Sequence, residues 1–273
     1  MIQTVQGKVF MCVAETKYLK LKEILLGHKR TAVAFSGGID STFLLYAAID
    51  TLGSENVLAY NCVSVVNSAQ SIANMRSVFH RHFQDAITLN EIGIYLLTWK
   101  EFIINNEKRC YFCKKRMYST LLDELRKENG FVLTDGTNVD DLKKNRPGLR
   151  AIRELNVHTP LVEAGLTKQE IRNLAKNKGL VNFALPSNSC LATRVKQGVD
   201  ITSKQLVTIE KSEDYLQQLG FKGCRVKIDG DIAFVELTRG DCVAFVKDDV
   251  RAAIQHRFYS LGFKKIFLDL TER

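Results

Sequence analysis

Between residues 31 and 135, short apolar, β-branched runs take turns with stretches whose apolar residues recur at helical spacing, and this alternation limits the fold more than any other feature of the chain. TAVAF (31–35), NVLAYNCVSV (56–65), DAITLN (85–90) and FVLTD (131–135) read as strands. STFLLYAAID (41–50), SIANMRSVFHRHF (71–83), residues 92–104 and about 110–128 read as helices. Strands that alternate with helices call for crossovers between parallel neighbours, so the expected fold class is α/β with a doubly wound, mainly parallel sheet. DGTNVDDLKKNRPG (135–148) reads as a polar loop, and LTKQEIRNLAKNKG (166–179) as a helix with a Thr167/Glu170 capping box and Gly179 at its end. Residues 181–200 show no clear period, and an irregular stretch of that length inside a compact protein is usually functional or disordered.

From Ile201 the organisation changes. A helix ends in Leu219-Gly220-Phe221, and CRVKIDGDIAFVEL follows as a hairpin with Asp229-Gly230 at its turn. A second helix over 247–261 ends in Leu261-Gly262-Phe263 and leads into the strand KKIFLDL. The expected organisation is therefore one domain over 1–199 and a small α-β-β-α-β domain over 200–273. The opening stretch has no basic segment leading into an unbroken apolar run, and no apolar run approaches the length of a membrane span. A cytoplasmic protein with no membrane partner is expected. Seven cysteines (Cys12, Cys62, Cys110, Cys113, Cys190, Cys224, Cys242) argue against a disulfide framework and leave metal binding, catalysis or packing. A net charge of +9 favours an anionic partner, nucleotide or RNA, without choosing between them.

The chemistry starts at SGGIDST (36–42), which joins a strand to a helix. Adjacent glycines let backbone N–H groups converge on an anion, and the helix dipole adds favourable potential, so the segment reads as a phosphate cradle rather than a plain turn. It is not a Walker loop, because no Gly-Lys-Ser/Thr follows at the required distance. Ser36 and Ser41 offer hydroxyls to phosphate oxygens, and Asp40 is placed to hold Mg2+.

AFSGGIDST resembles the PP-loop of the ATP pyrophosphatases, the adenine nucleotide alpha hydrolase-like superfamily that cleaves ATP between its α and β phosphates. RCYFCKKRMYSTL, TDGTNVDDLKKNRPGLRAIRELNV, PLVEAGLTKQEIRNLAKNKGL, SCLATRV and the segment around CRVKIDGDIAFVEL extend the resemblance, in order, to the LarE-type sulfur transferases of nickel-pincer nucleotide synthesis. The resemblance implies that ATP binds at Ser36, Gly37, Gly38, Asp40, Ser41 and Thr42, and at Asp135, Gly136 and Thr137 on the carboxyl edge of the sheet, with Asp140 and Asp141 in reach. It implies that Arg194, Arg225 and Lys227 grip the phosphate of the nucleotide being sulfurated. The chain departs from the family at Ser189, where proline usually precedes the cysteine, and at Lys196-Gln197-Gly198, where Pro-Tyr-Gly is frequent.

One subgroup of the family carries a single cysteine, which gives up its sulfur and ends as dehydroalanine; another holds a [4Fe-4S] cluster on three cysteines. Cys110, Cys113 and Cys190 match the second. Residues three apart share a helix face, and the neighbouring cations Arg109 and Lys114 favour thiolates. A structural zinc would require a fourth ligand that no second paired motif supplies. Cys12, Cys62, Cys224 and Cys242 read as packing residues. The expected activity is ATP-dependent adenylation of a carboxylate on a pyridinium mononucleotide, followed by its replacement with sulfur. The alternatives are a PP-loop tRNA thiolase, against which stands the lack of a separate RNA-binding module, and an ATP-binding sensor without turnover. Family resemblance also implies a homo-oligomer and a protein that delivers sulfide.

Overall fold

The computed structural model describes the backbone of residues 3–5 and 8–10, and residues 13–143, 147–184 and 189–271 in full. Cys12 lies outside the described residues. The chain divides into two compact units.

The first unit comprises Met1–Val63, Ala69–Ile94 and Cys110–Ser187. A small antiparallel hairpin, β1 (Gln3–Val5) and β2 (Lys8–Phe10), precedes α1 (Val13–His28). β3 (Thr31–Ala34), α2 (Ile39–Leu52), β4 (Val57–Val63), α3 (Ala69–Phe83) and β5 (Leu89–Gly93) follow in alternation. The sheet is closed by β6 (Val132–Asp135). All four strands run parallel in the order β5-β4-β3-β6, as the alternation predicts. Ala32, Val33 and Ala59 are fully buried, as befits strands covered on both faces. One core joins α1 (Tyr18, Leu21, Leu25), α2 (Phe43, Leu44, Leu45) and α3 (Met75, Phe79, Phe83) to the sheet. Phe35 meets the rings of Phe79 and Phe83 edge-on at 5.6 and 6.1 Å.

Strand order reverses between β3 and β6: the chain builds outward through β4 and β5, then returns to the other side of β3. In open α/β sheets, ligands bind outside the carboxyl ends of the strands at such a reversal. The loops leaving β3 and β6 are SGG and DGT, the two stretches singled out from the sequence.

Two expected elements differ. Residues 85–87 turn off the end of α3, where the N–H groups of Ala86 and Ile87 donate to Phe83 O, and the strand begins only at Leu89. Residues 92–104 are not one helix: β5 runs through Gly93, a 3-10 turn covers Leu96–Thr98, and α4 is the single turn Lys100–Ile103. The helix expected over 110–128 is α5 (Arg109–Leu125). The stretch read as a polar loop contains α6 (Val139–Leu142), capped by Asn138, and the start of α7 (Pro147–Glu154). The single turn α8 (Pro160–Glu163) precedes α9 (Lys168–Asn177), which carries the Thr167/Glu170 capping box, and Gly179 follows it at φ +74°.

The second unit comprises Asn188–Arg273 together with Ser64–Ser68 and Tyr95–Arg109, the segments that follow β4 and β5 in sequence. It contains α10 (Ser203–Gln218), β7 (Arg225–Asp229), β8 (Ile232–Glu236), the short α11 (Cys242–Phe245), α12 (Asp248–Ser260) and β9 (Lys265–Asp269). β7 and β8 are antiparallel, and β9 joins β8 in parallel after the α12 crossover. Asp229 pairs with Ile232, so the hairpin loop is Gly230-Asp231, with Gly230 at φ +59° in the first central position.

Candidate active site

The loop after β3 is drawn tight by its own hydroxyls. The Ser36 N–H donates to Ser41 Oγ (3.1 Å), the Ser41 hydroxyl to Gly38 O (3.0 Å) and the Thr42 hydroxyl to Gly38 O (2.9 Å). Ser36 and Gly38 stay exposed, whereas Ser41 and Thr42 are buried, so Thr42 faces into the protein beneath the loop. Gly37 lies at φ +74°, and a Cβ there would fall 2.7 Å from Met75 Cα. Asn182, from the irregular stretch after α9, is buried under the loop, and its amide donates to Gly37 O and Thr42 Oγ1, both at 2.9 Å. The first N–H groups of α2 have no intrahelical partner and leave positive potential at the loop.

Asp40 stands in the first turn of α2. One carboxylate oxygen accepts from the Lys168 ammonium at 2.5 Å; the other, Oδ1, is buried, and the Asn138 side chain is the polar group beside the carboxylate. Burial pushes its carboxyl up, opposed by Lys168. A carboxylate with one oxygen that no ammonium engages is the kind of hard donor that Mg2+ takes.

The loop after β6 approaches the first turn of α2 so closely that a Cβ on Gly136 would lie 2.9 Å from Ser41 N and 3.1 Å from Asp40 C. Asp135 ties the loop to α5. Its buried carboxylate accepts from the Tyr118 hydroxyl and from the N–H (2.7 Å) and hydroxyl of Thr137, and lies 3.5 Å from the Lys114 ammonium. Burial alone would raise its carboxyl; Lys114, Thr137 and Tyr118 outweigh it and hold it low. Tyr118 and Lys114 belong to α5, so Asp135 pins the CYFC helix to the edge of the sheet. A second clamp holds the first turns of that helix. Glu154 of α7 accepts from Tyr111 (2.6 Å), Lys115 (2.9 Å) and Arg150 (2.7 Å), which lowers its carboxyl to about 2. Asp140 and Asp141 are capping groups: Asp140 accepts from Lys168 N at the start of α9, and Asp141 completes the capping box with Asn138.

Cys110 is exposed and Cys113 half-buried in the first two turns of α5, and neither forms a disulfide. Cys190, in the second unit, is half-buried and precedes a 3-10 turn, Leu191–Arg194. Arg194 braces this turn from within. Its guanidinium is 3% exposed, grips Glu213 through Nε (2.9 Å) and Nη2 (3.3 Å), and donates through Nη1 to Ser189 O (2.7 Å) and Cys190 O (3.0 Å). That geometry makes Arg194 a positioning residue for the Cys190 turn, whereas the resemblance implies a phosphate grip. Arg109 adds a hydrogen bond to Ala192 O (2.8 Å). Arg225 and Lys227 share the outer face of β7, opposite the buried Val226 and Ile228, and Lys227 pairs with Glu236. Among the described residues, no three His, Cys, Asp or Glu side chains stand together as a metal-holding group. Cys62 and Cys224 are buried, and burial pushes the Cys62 thiol up to about 12.

Sequence reasoning did not single out Lys168, Asn182, Tyr118 or Glu213. Asn182 left a faint signal, a lone amide amid Val181, Phe183 and Ala184. The others lie on helices whose spacing explains their neighbours better than themselves.

No protein-family model matches the chain. It is 32% identical over 263 residues to an uncharacterized protein of Synechocystis sp., covering 94% of each chain. It is 30% identical over 260 residues to an uncharacterized protein of Methanocaldococcus jannaschii, covering 93% of this chain and 96% of the other. To the pyridinium-3,5-bisthiocarboxylic acid mononucleotide synthase of Lactiplantibacillus plantarum it is 32% identical over 271 residues, 95% of this chain and 92% of that one. Identity of this order along nearly the full length of both, on an α/β fold of the expected kind, means that the chain belongs to the family of that synthase, the LarE-type family its motifs resemble.

Proposed function

We propose that the chain is an ATP-dependent sulfur transferase that activates a carboxylate of a pyridinium mononucleotide and exchanges its oxygen for sulfur, in nickel-pincer nucleotide synthesis. The observation that carries this reading is the loop at the strand-order reversal, where glycine-permitted backbone and the start of α2 meet a carboxylate that Lys168 engages through only one oxygen. The phosphates of ATP are assigned to Ser36–Ser41, with Asp135–Thr137 as the neighbouring wall. Mg2+ is assigned to Asp40, where it would neutralise the pyrophosphate that departs.

The substrate carboxylate oxygen attacks the α-phosphorus and the bond to the β-phosphate oxygen breaks, giving an acyl-adenylate and pyrophosphate. A sulfur nucleophile then attacks the acyl carbon, and AMP leaves with the C–O bonding pair. ATP is required because oxide is too poor a leaving group for sulfur to displace from a carboxylate. Arg225 and Lys227 are assigned to the acceptor's phosphate.

The thiols of Cys110, Cys113 and Cys190 have the donor chemistry for a [4Fe-4S] cluster, which would supply an iron to carry an added sulfide. A small-molecule nucleotide substrate, a sulfide-delivering protein, a cytoplasmic location and a homo-oligomer complete the proposal. No helix among the described residues is long and apolar enough to cross a membrane.

The test is release of pyrophosphate and AMP from ATP, Mg2+ and the pyridinium mononucleotide. Wild type should release both, and Asp40→Ala neither, with an unchanged circular dichroism spectrum. No release by wild type, or wild-type release by Asp40→Ala, refutes the assignment. Tight, steeply salt-dependent tRNA binding would move the reading to the thiolase.

A further inference from the structure

Lys168 opens α9, and its ammonium rests on the Asp40 carboxylate, 128 residues earlier in the chain. The side chains are 27% and 21% exposed, in contrast to the Arg194–Glu213 pair at 3% and 8%. The Arg194–Glu213 pair is sealed in the interior; the Lys168–Asp40 pair is open to water at the mouth of the loop.

The backbone under Lys168 is fixed. Its N–H donates to Asp140 Oδ2 (2.9 Å), Thr167 and Glu170 cap the helix, and Glu170 is held in turn by Lys17 (2.7 Å). Only the four-carbon stem and its ammonium are left to move. Because Asp40 lies two residues past Gly38, an ammonium on its carboxylate already stands beside the helix terminus that attracts phosphate. A carboxylate removed from water needs a compensating cation, and in the absence of metal Lys168 is that cation. Once a divalent ion takes over that task, the ammonium is released next to a polyphosphate, for which lysine is a compact, rotatable partner.

We propose that Lys168 is a phosphate ligand of the nucleotide, which rests on Asp40 until metal and ATP arrive and then turns to the phosphoryl oxygens, where it stabilises the departing pyrophosphate. This rests on the ATP reading above. It assigns Lys168 a place in the reaction that an ordinary tie between α9 and α2 would not have.

Binding is measured on the full chain by calorimetry, with MgATP and with magnesium pyrophosphate, for wild type and Lys168→Met. The variant should bind both at least about tenfold more weakly, the scale of one lost charge-assisted contact. Mn2+ binding without nucleotide, read by electron paramagnetic resonance, should be unchanged or tighter, because the ammonium no longer competes for Asp40. A second measurement needs no variant. Acylation of Lys168 in wild type, followed by mass spectrometry, should rise with Mg2+ alone and fall below its starting level with MgATP. Equal nucleotide affinities in the two proteins, or labelling of Lys168 that ignores metal and MgATP, overturns the proposal. Failure of wild type itself to bind MgATP would instead refute the ATP reading.

Discussion

Arg194→Met tests whether the Cys190 turn is held from inside. The substitution keeps an apolar stem of similar length and deletes the guanidinium, which here makes a two-pronged pair with Glu213 and hydrogen bonds to the Ser189 and Cys190 carbonyls. What remains is a buried Glu213 that still accepts from the Val226 N–H at 3.0 Å. Breaking a buried pair by removing one partner costs about 3–5 kcal/mol, because the other charge is stranded. For a unit of about 100 residues, each kcal/mol moves the melting temperature by roughly 4 °C or more, so a fall of at least ~12 °C is expected for the second unit. The double variant Arg194→Met/Glu213→Leu should recover most of it, since replacing both charges with apolar groups is often near neutral. Thermal melts followed by circular dichroism, with urea titration as a check, measure all three. If Arg194→Met melts within about 1 kcal/mol of wild type but no longer binds the mononucleotide, the positioning role is refuted and Arg194 is a substrate residue.

Gly136→Ala should weaken MgATP binding and cost about 1–3 kcal/mol of stability, because its Cβ meets the backbone of Ser41 and Asp40. Gly148→Ala, whose Cβ would meet chiefly the Lys114 side chain, should be much milder; equal melts and affinities for the two would refute the close-approach argument. Glu154 has a folded-state value of about 2 against an ordinary 4.5, so its stabilising share is complete above about 4.5 and lost as pH falls towards 2. Glu154→Gln should flatten the pH dependence of melting in that window, and an unchanged slope would remove the clamp on α5. For the thiols, Ala at Cys110, Cys113 or Cys190 should each remove iron, visible absorption and sulfur transfer together while ATP cleavage persists; dehydroalanine at 190 after turnover, seen by mass spectrometry, would favour the sacrificial route.

The parallel sheet and the glycine turn after β3 were legible because they are written locally. TAVAF has to be buried, SGG has to turn, and Thr167 with Glu170 caps a helix within four residues. Residues 92–104 were misread for a local reason too: Ile92, Ile94 and Leu96 alternate, as a strand requires, and the helical spacing of the following residues masked it. α1 went unread although Tyr18, Leu21 and Leu25 recur on one face. The partners of the site residues are a different matter. Arg194 meets Glu213 and Lys168 meets Asp40 across stretches of chain whose folding decides the meeting, and neither residue carries a local mark of its partner.

Asn182 has a consequence for how the protein is made. Its amide holds Gly37 O and Thr42 Oγ1 across 145 and 140 residues, and Gly136 and Lys168 reach the same loop from almost as far. While the chain emerges from a ribosome at roughly 5–20 residues per second, SGGIDST is exposed for many seconds before its support exists. The loop therefore cannot take its final shape as soon as the motif appears. A fragment ending after β4 would carry the whole of SGGIDST yet lack the floor beneath it, and any ligand of the loop acts as a folding ligand only once synthesis has passed Asn182.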